Sequence, residues 1–175
     1  MLNVTLDAAK IALDTWFDDR HAESVQRVHV DNPAKDPHAR YEVIREIAFE
    51  PASLEVGRVE LWFTKSGEIS IGFETVERVA KRLGVRAAKS GFAAGHEPQA
   101  MSKESLLAVL DLVANGEIAL HATIVPLIGI ASVTAYTSAA AVSRLAKIEY
   151  TATHWLHPTE RCGDGVSLLQ YQPWT

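Results

Sequence analysis

The chain has a single cysteine, Cys162, so no disulfide can form within it. That suits a reducing compartment and gives a cytoplasmic location as the expectation. A strong excess of charge of either sign is also missing: the charged fraction, 22%, is ordinary, and the net is −5 over 175 residues when histidine is neutral. Such a balance argues against non-specific nucleic-acid binding, which needs clustered Lys and Arg. It is too mild to demand a basic partner. The opening residues Met1–Asp7 show no basic stretch leading into an apolar run, so no secretory signal is expected. The familiar catalytic signatures are missing: no G-x-S-x-G elbow, no H-E-x-x-H and no C-x-x-C pair. Repeats, low-complexity tracts and interdomain linkers are missing as well, so residues 1–175 read as one domain.

One uncharged run is long. From Ile118 to Val142 there is no Asp, Glu, Lys or Arg. Its length would cross a bilayer. His121, Pro126, Gly129 and several Thr and Ser residues dilute it, and its β-branched content suits two buried strands. No membrane association is expected.

The remaining pattern predicts elements in turn. A helix is expected from Leu6 to Asp19, capped by Thr5, with Ala9, Ala12, Leu13, Trp16 and Phe17 on one face. Asp31–His38 reads as a loop. A strand follows from Tyr41 to Glu50, in which Arg45 interrupts an apolar row. It is expected to snorkel at an edge or pair with a carboxylate. Arg58 to Phe73 reads as a hairpin. A three-residue loop, Lys65-Ser66-Gly67, pairs Phe63 with Ile69, Leu61 with Ile71 and Val59 with Phe73, so that all six share a face. Thr75 caps a helix that Gly84 ends. Val85–Ala100 reads as a long surface loop. Ser102 caps a helix carrying Leu106, Leu107, Leu110 and Val113, closed by Asn115-Gly116. Strands are expected at Glu117–Val125 and Ile128–Thr137, then a helix after Ser138 through Lys147. Strands at Ile148–Leu156 and Val166–Tyr171 flank a loop at Pro158–Gly165. Hairpins and short connections dominate, which predicts an α+β domain. Its mostly antiparallel sheet would have six to seven strands, with three to four helices packed on it.

Reactive groups concentrate between His154 and Gly165. His154, His157 and Cys162 are ligand types that zinc accepts, but no familiar spacing is matched. Two strand positions three apart would also point to opposite faces. The plainer reading is a turn with an inert cysteine, and neither a metal nor a cofactor is implied. Catalysis by His154, His157, Cys162 and Asp164 is the alternative, with imidazole as ligand or general base in a small hydrolase-like enzyme. Asp14, Asp18 and His21 share a helix face that reads as solvated. Gly91-Phe92-Ala93-Ala94-Gly95 lacks the Lys-Ser/Thr of a phosphate loop. His96 beside Glu97 says little, and His121 reads as a hydrogen-bonded core residue.

Aromatic residues point elsewhere. Trp62 lies on the polar face of the hairpin between Glu60 and Thr64, and an exposed Trp among polar groups makes a binding anchor unless a helix covers it. Trp155 is a second such candidate. The leading expectation is therefore a non-catalytic binding or regulatory protein, of toxin-neutralising or adaptor type. It would act by protein–protein contact through Trp62, Glu60 and Trp155. A homo-oligomer burying the Ile118–Val142 run is a further possibility.

Overall fold

A computed structural model describes residues 5–20, 22–34, 40–87, 90–148, 155–161 and 167–175. It shows an α+β fold with two sheets instead of one. The first is a five-stranded antiparallel meander in chain order, β1 (Val25–Asp31), β2 (Val43–Pro51), β3 (Val59–Thr64), β4 (Ile69–Thr75) and β5 (Phe92–Gln99). The second comprises β6 (Ala119–Val125), β7 (Gly129–Thr137), β8 (Leu156–Pro158) and β9 (Ser167–Gln170), in the order β8-β7-β6-β9. There β8 runs parallel to β7, and the other pairs are antiparallel.

The hairpin has the register its sequence predicts: Val59 opposite Phe73, Leu61 opposite Ile71, Phe63 opposite Ile69. Gly67 takes φ +82, the left-handed residue such a loop requires. These side chains are almost wholly buried. With Ile47 and Phe49 of β2 they form the inner face of the first sheet.

Four helices occur among the described residues: α1 (Leu6–Asp18), α2 (Val76–Leu83), α3 (Lys103–Ala114) and α4 (Ala139–Lys147). Thr5, Thr75, Ser102 and Ser138 cap them by accepting a backbone N–H. Gly84 closes α2 at φ +68. In α3, Leu106, Val109, Leu110, Leu112 and Val113 are all buried. A helix buried round most of its circumference belongs inside a core, not on its surface. One contiguous cluster joins the inner face of the first sheet, α3, and Leu120, Ala122, Ile130 and Ala135 of the second.

Two strands were not expected. β1 is an edge strand whose burial falls away after Val25, so its alternation is faint in the sequence. β5 occupies the stretch read as a surface loop. It tolerates Pro98 because it is also an edge and because it bulges. Ile71 faces His96 and Ile69 faces Gln99, one residue more on β5 than on β4. Gly95 is required there, since a Cβ would stand 2.3 Å from the Ile71 carbonyl oxygen. Of the strand expected over Ile148–Leu156, Ile148 caps α4 and Leu156 opens β8, while residues 149–154 lie outside the described residues. Arg45 resolves as one of its two options, its Nε donating to Asp31 Oδ1 at 2.7 Å on β1. The uncharged Ile118–Val142 run forms β6, β7 and the first turn of α4. Among the described residues no helix is long and apolar enough to cross a membrane.

Candidate functional site: an aromatic cleft between the sheets

The register that buries Leu61 and Phe63 turns Glu60 and Trp62 to the outer face of the first sheet. Trp62 stands between Glu46 on β2 and Ser70 on β4, and Glu60 between Ala48 and Gly72. Among the described residues the ring packed against Trp62 comes from a strand, not from a helix. It is Phe92 at the start of β5, with ring centroids 4.9 Å apart and planes tilted by 54°. Gly72 makes that contact possible. A Cβ there would fall 2.2 Å from the Phe92 ring, so only glycine leaves the notch in which the ring rests.

Beyond Trp62 and Phe92 an open cleft of about 890 Å³ separates the outer part of the first sheet from the edge of the second. Tyr41, Trp62, Phe92 and His96 line one side, and Val133, Thr134, Trp155 and His157 the other. Arg40 and Glu97 are exposed residues of its lining. His96 lies 6.1 Å from the Trp155 ring, and its Nδ1 is 2.7 Å from the Glu97 carbonyl oxygen. Burial holds the His96 imidazole below the ordinary histidine range, so it favours the neutral ring. Burial, reinforced by the Glu97 carboxylate, pushes the Tyr41 phenol up.

Behind Trp62 lies a charged cluster. The indole Nε1–H donates to Glu60 Oε1. Arg58 donates to Glu60 Oε2 at 2.6 Å and to Glu50 Oε1 at 3.0 Å. Glu46 is next to Glu60 on the same face. Burial, and then the neighbouring Glu60 carboxylate, push the Glu46 carboxyl up to about 7.

The residues singled out in the sequence are distributed as follows. Trp62, Trp155 and His157 converge on the cleft from different strands or their flanks. Glu60 is buried behind Trp62, not exposed at a rim. Trp155 is also buried, presenting an edge to the cleft while packing in the core. His154, Cys162, Asp164 and His21 lie outside the described residues. Among the described residues no three histidine, cysteine or carboxylate side chains gather as a metal site. His157 meets Tyr136 at 5.9 Å, and His121 meets the same ring at 5.6 Å, edge to face. His121 is half-buried on the outer face of β6, not in the core. Asp14, read as part of a solvated face, binds Lys10 and Arg27, each at 2.7 Å.

Tyr41 and Phe92 escaped the sequence reading as cleft residues, and His96, weighed only beside Glu97, was passed over. A signal for Phe92 was present, since a glycine inside a strand marks the close approach of another group. Gly72 sits inside the best-defined strand of the chain. Comparison with known proteins adds no name: no family model, characterised protein or solved structure matches this chain.

Proposed function

We propose that this chain is a non-catalytic binding or regulatory protein that grips a protein partner in the cleft between its two sheets. A single observation carries the reading: Tyr41, Trp62, Phe92 and Trp155 arrive from four separate segments and line one open cleft. Large, stiff aromatic side chains supply contact area at little entropic cost, and they dominate binding energy where they cluster. The cleft is of the size that ligand sites take, and polar groups such as Ser70, His96, Thr134 and His157 stand among the rings, where they can fix the orientation of what binds. A cytoplasmic location belongs to the same proposal, on the strength of the lone cysteine.

Affinity capture from the native host provides the test. Wild type should recover a stoichiometric partner, Trp62→Ala should lose it, and Leu127→Ser, an exposed site outside the cleft, should keep it. A partner held equally by Trp62→Ala would overturn the reading, as would the absence of any stoichiometric partner.

A second reading has an observation of its own. His96 and His157 both line the cleft, so an imidazole could serve there as general base in a hydrolytic reaction. The double variant His96→Ala/His157→Ala would abolish such an activity, and an unchanged rate would dismiss it. Self-association would have to use what the Ile118–Val142 run leaves exposed, chiefly Leu127 and Ile128. Sedimentation at high concentration tests that directly.

A further inference from the structure

Resting on the binding reading above, the structure assigns a chemical class to what the cleft takes: we propose that it receives an arginine side chain of the protein partner, stacked on Trp62. Arginine guanidinium groups lie over three other aromatic rings of this chain, two of them half-buried and one buried. Arg20 lies over Trp16 at 4.5 Å, Arg27 over Phe17 at 5.6 Å and Arg82 over Tyr171 at 4.8 Å. Among the described residues no cation lies over Trp62 or Phe92. Arg58, which reaches the same Glu60 carboxylate as the Trp62 indole, is held down on the sheet by Glu60 and Glu50.

The electrostatics around Trp62 favour a cation. Its indole N–H is donated to a buried carboxylate, which shifts electron density into the ring and strengthens the negative potential of its face. Glu50 and Glu60 set two carboxylates behind it against the guanidinium of Arg58, and Glu46 beside them, which ionises at about 7, adds negative charge as pH rises through that value. Arg40 and Glu97 in the lining offset one another. A guanidinium fits this setting better than an ammonium. It is planar, it stacks on indole, and it sheds its weaker hydration more readily. The cleft, about 890 Å³, also has room for the flanking backbone of a peptide segment. That room favours an arginine carried on a chain over a free small cation.

The test follows the four tryptophan indole N–H resonances of the ¹⁵N-labelled full chain. The probes are a capped Gly-Arg-Gly peptide, its citrulline counterpart and ethylguanidinium ion. The arginine peptide should move the Trp62 resonance in a saturable way and leave Trp16 and Trp174 in place. Citrulline, equal in shape but uncharged, should bind at least tenfold more weakly, and ethylguanidinium several-fold more weakly. Measured by calorimetric titration of the arginine peptide, Trp62→Leu should lose at least tenfold in affinity, while Trp62→Phe, which keeps a ring, should stay within about threefold of wild type. Glu60→Gln should weaken binding several-fold.

Equal binding of the citrulline peptide would overturn the cation and leave the cleft reading standing. Ethylguanidinium binding as tightly as the peptide would overturn the protein-borne source in favour of a small cation. If neither peptide moves the Trp62 resonance, the proposal is overturned, and the capture experiment alone decides the cleft reading.

Discussion

The protein has two aromatic clusters, one sealed and one open. The sealed cluster joins Trp16 and Phe17 of α1, Phe49 of β2 and Trp174, with ring centroids 5.2 to 6.2 Å apart. Its polar handles are satisfied internally: Trp174 Nε1 donates to the Gly57 carbonyl at 3.0 Å, and Trp16 Nε1 to Asp111 Oδ1 at 2.8 Å. Arg20, itself ion-paired with Asp111, closes over Trp16 from outside. The open cluster has Trp62, Phe92 and Trp155 beside a solvent-filled cleft, and its indole–carboxylate bond faces inward. The sealed cluster contains two tryptophans and two phenylalanines, the open one two tryptophans and one phenylalanine. They differ in what borders the rings: the core and Arg20 close over the first, and the cleft borders the second.

The largest expected effect comes from breaking the sealed cluster. Trp174→Ala should cost ~3–5 kcal/mol in denaturant unfolding, because the cavity lies among rings that cannot collapse together. Trp62→Ala, in the open cluster, should cost only ~1–2 kcal/mol while removing binding. If the two costs were equal, the contrast would fail. Gly72→Ala comes next, since its methyl occupies the place of the Phe92 ring. It should displace that ring from Trp62, change the near-ultraviolet circular dichroism and cost ~1–2 kcal/mol.

Glu46→Gln should have the opposite sign. A carboxyl that ionises at about 7 in the folded state and near 4.5 when unfolded binds more protons when folded, so its ionisation costs stability as pH rises through that window. The variant should therefore be the more stable protein at pH 8, by about 1 kcal/mol once solvent screening of the half-exposed group is allowed for. At pH 4 the gain should vanish. His96→Gln should have the smallest effect, confined to acid. His96 is kept neutral by burial, so below about 6.5 the unfolded chain takes up a proton that the folded one resists, and stability falls. The variant should flatten that fall, as read from unfolding midpoints between pH 7 and pH 5.

The sequence made the sealed side legible and left much of the open side obscure, for a physical reason. Val59, Leu61, Phe63, Ile69, Ile71 and Phe73 are buried on one face and alternate, so they announce both strand and register. The four helix caps are equally plain, because a hydroxyl that accepts a backbone N–H recurs at the same place in each. By contrast, β5 is built of small residues, two of which, Gly95 and Pro98, normally argue against a strand. They are there because the Ile71 carbonyl crowds the chain at Gly95 and because an edge strand can bulge. The cleft therefore appears only when β5 is placed. Trp62 could be picked out by its polar neighbours, whereas Phe92 and His96 gain meaning only beside it. That Glu60 would lie beneath Trp62, as a buried acceptor, could not be read from alternation alone.

The pairing of β6 with β9 has a consequence for how this molecule comes into being. β6 bonds to a strand some forty residues further along, with Leu120 opposite Leu169. The same late stretch supplies Tyr171 and Trp174 to the core. A chain emerging from the ribosome would hold β6 with one unpaired edge, and Phe49 without its last ring, until residues through Trp174 had cleared the exit. The hairpin could form early, since its contacts are local. This fold is therefore not closed until Trp174 is in place, and until then the exposed edge of β6 is where a chaperone would be expected to hold it.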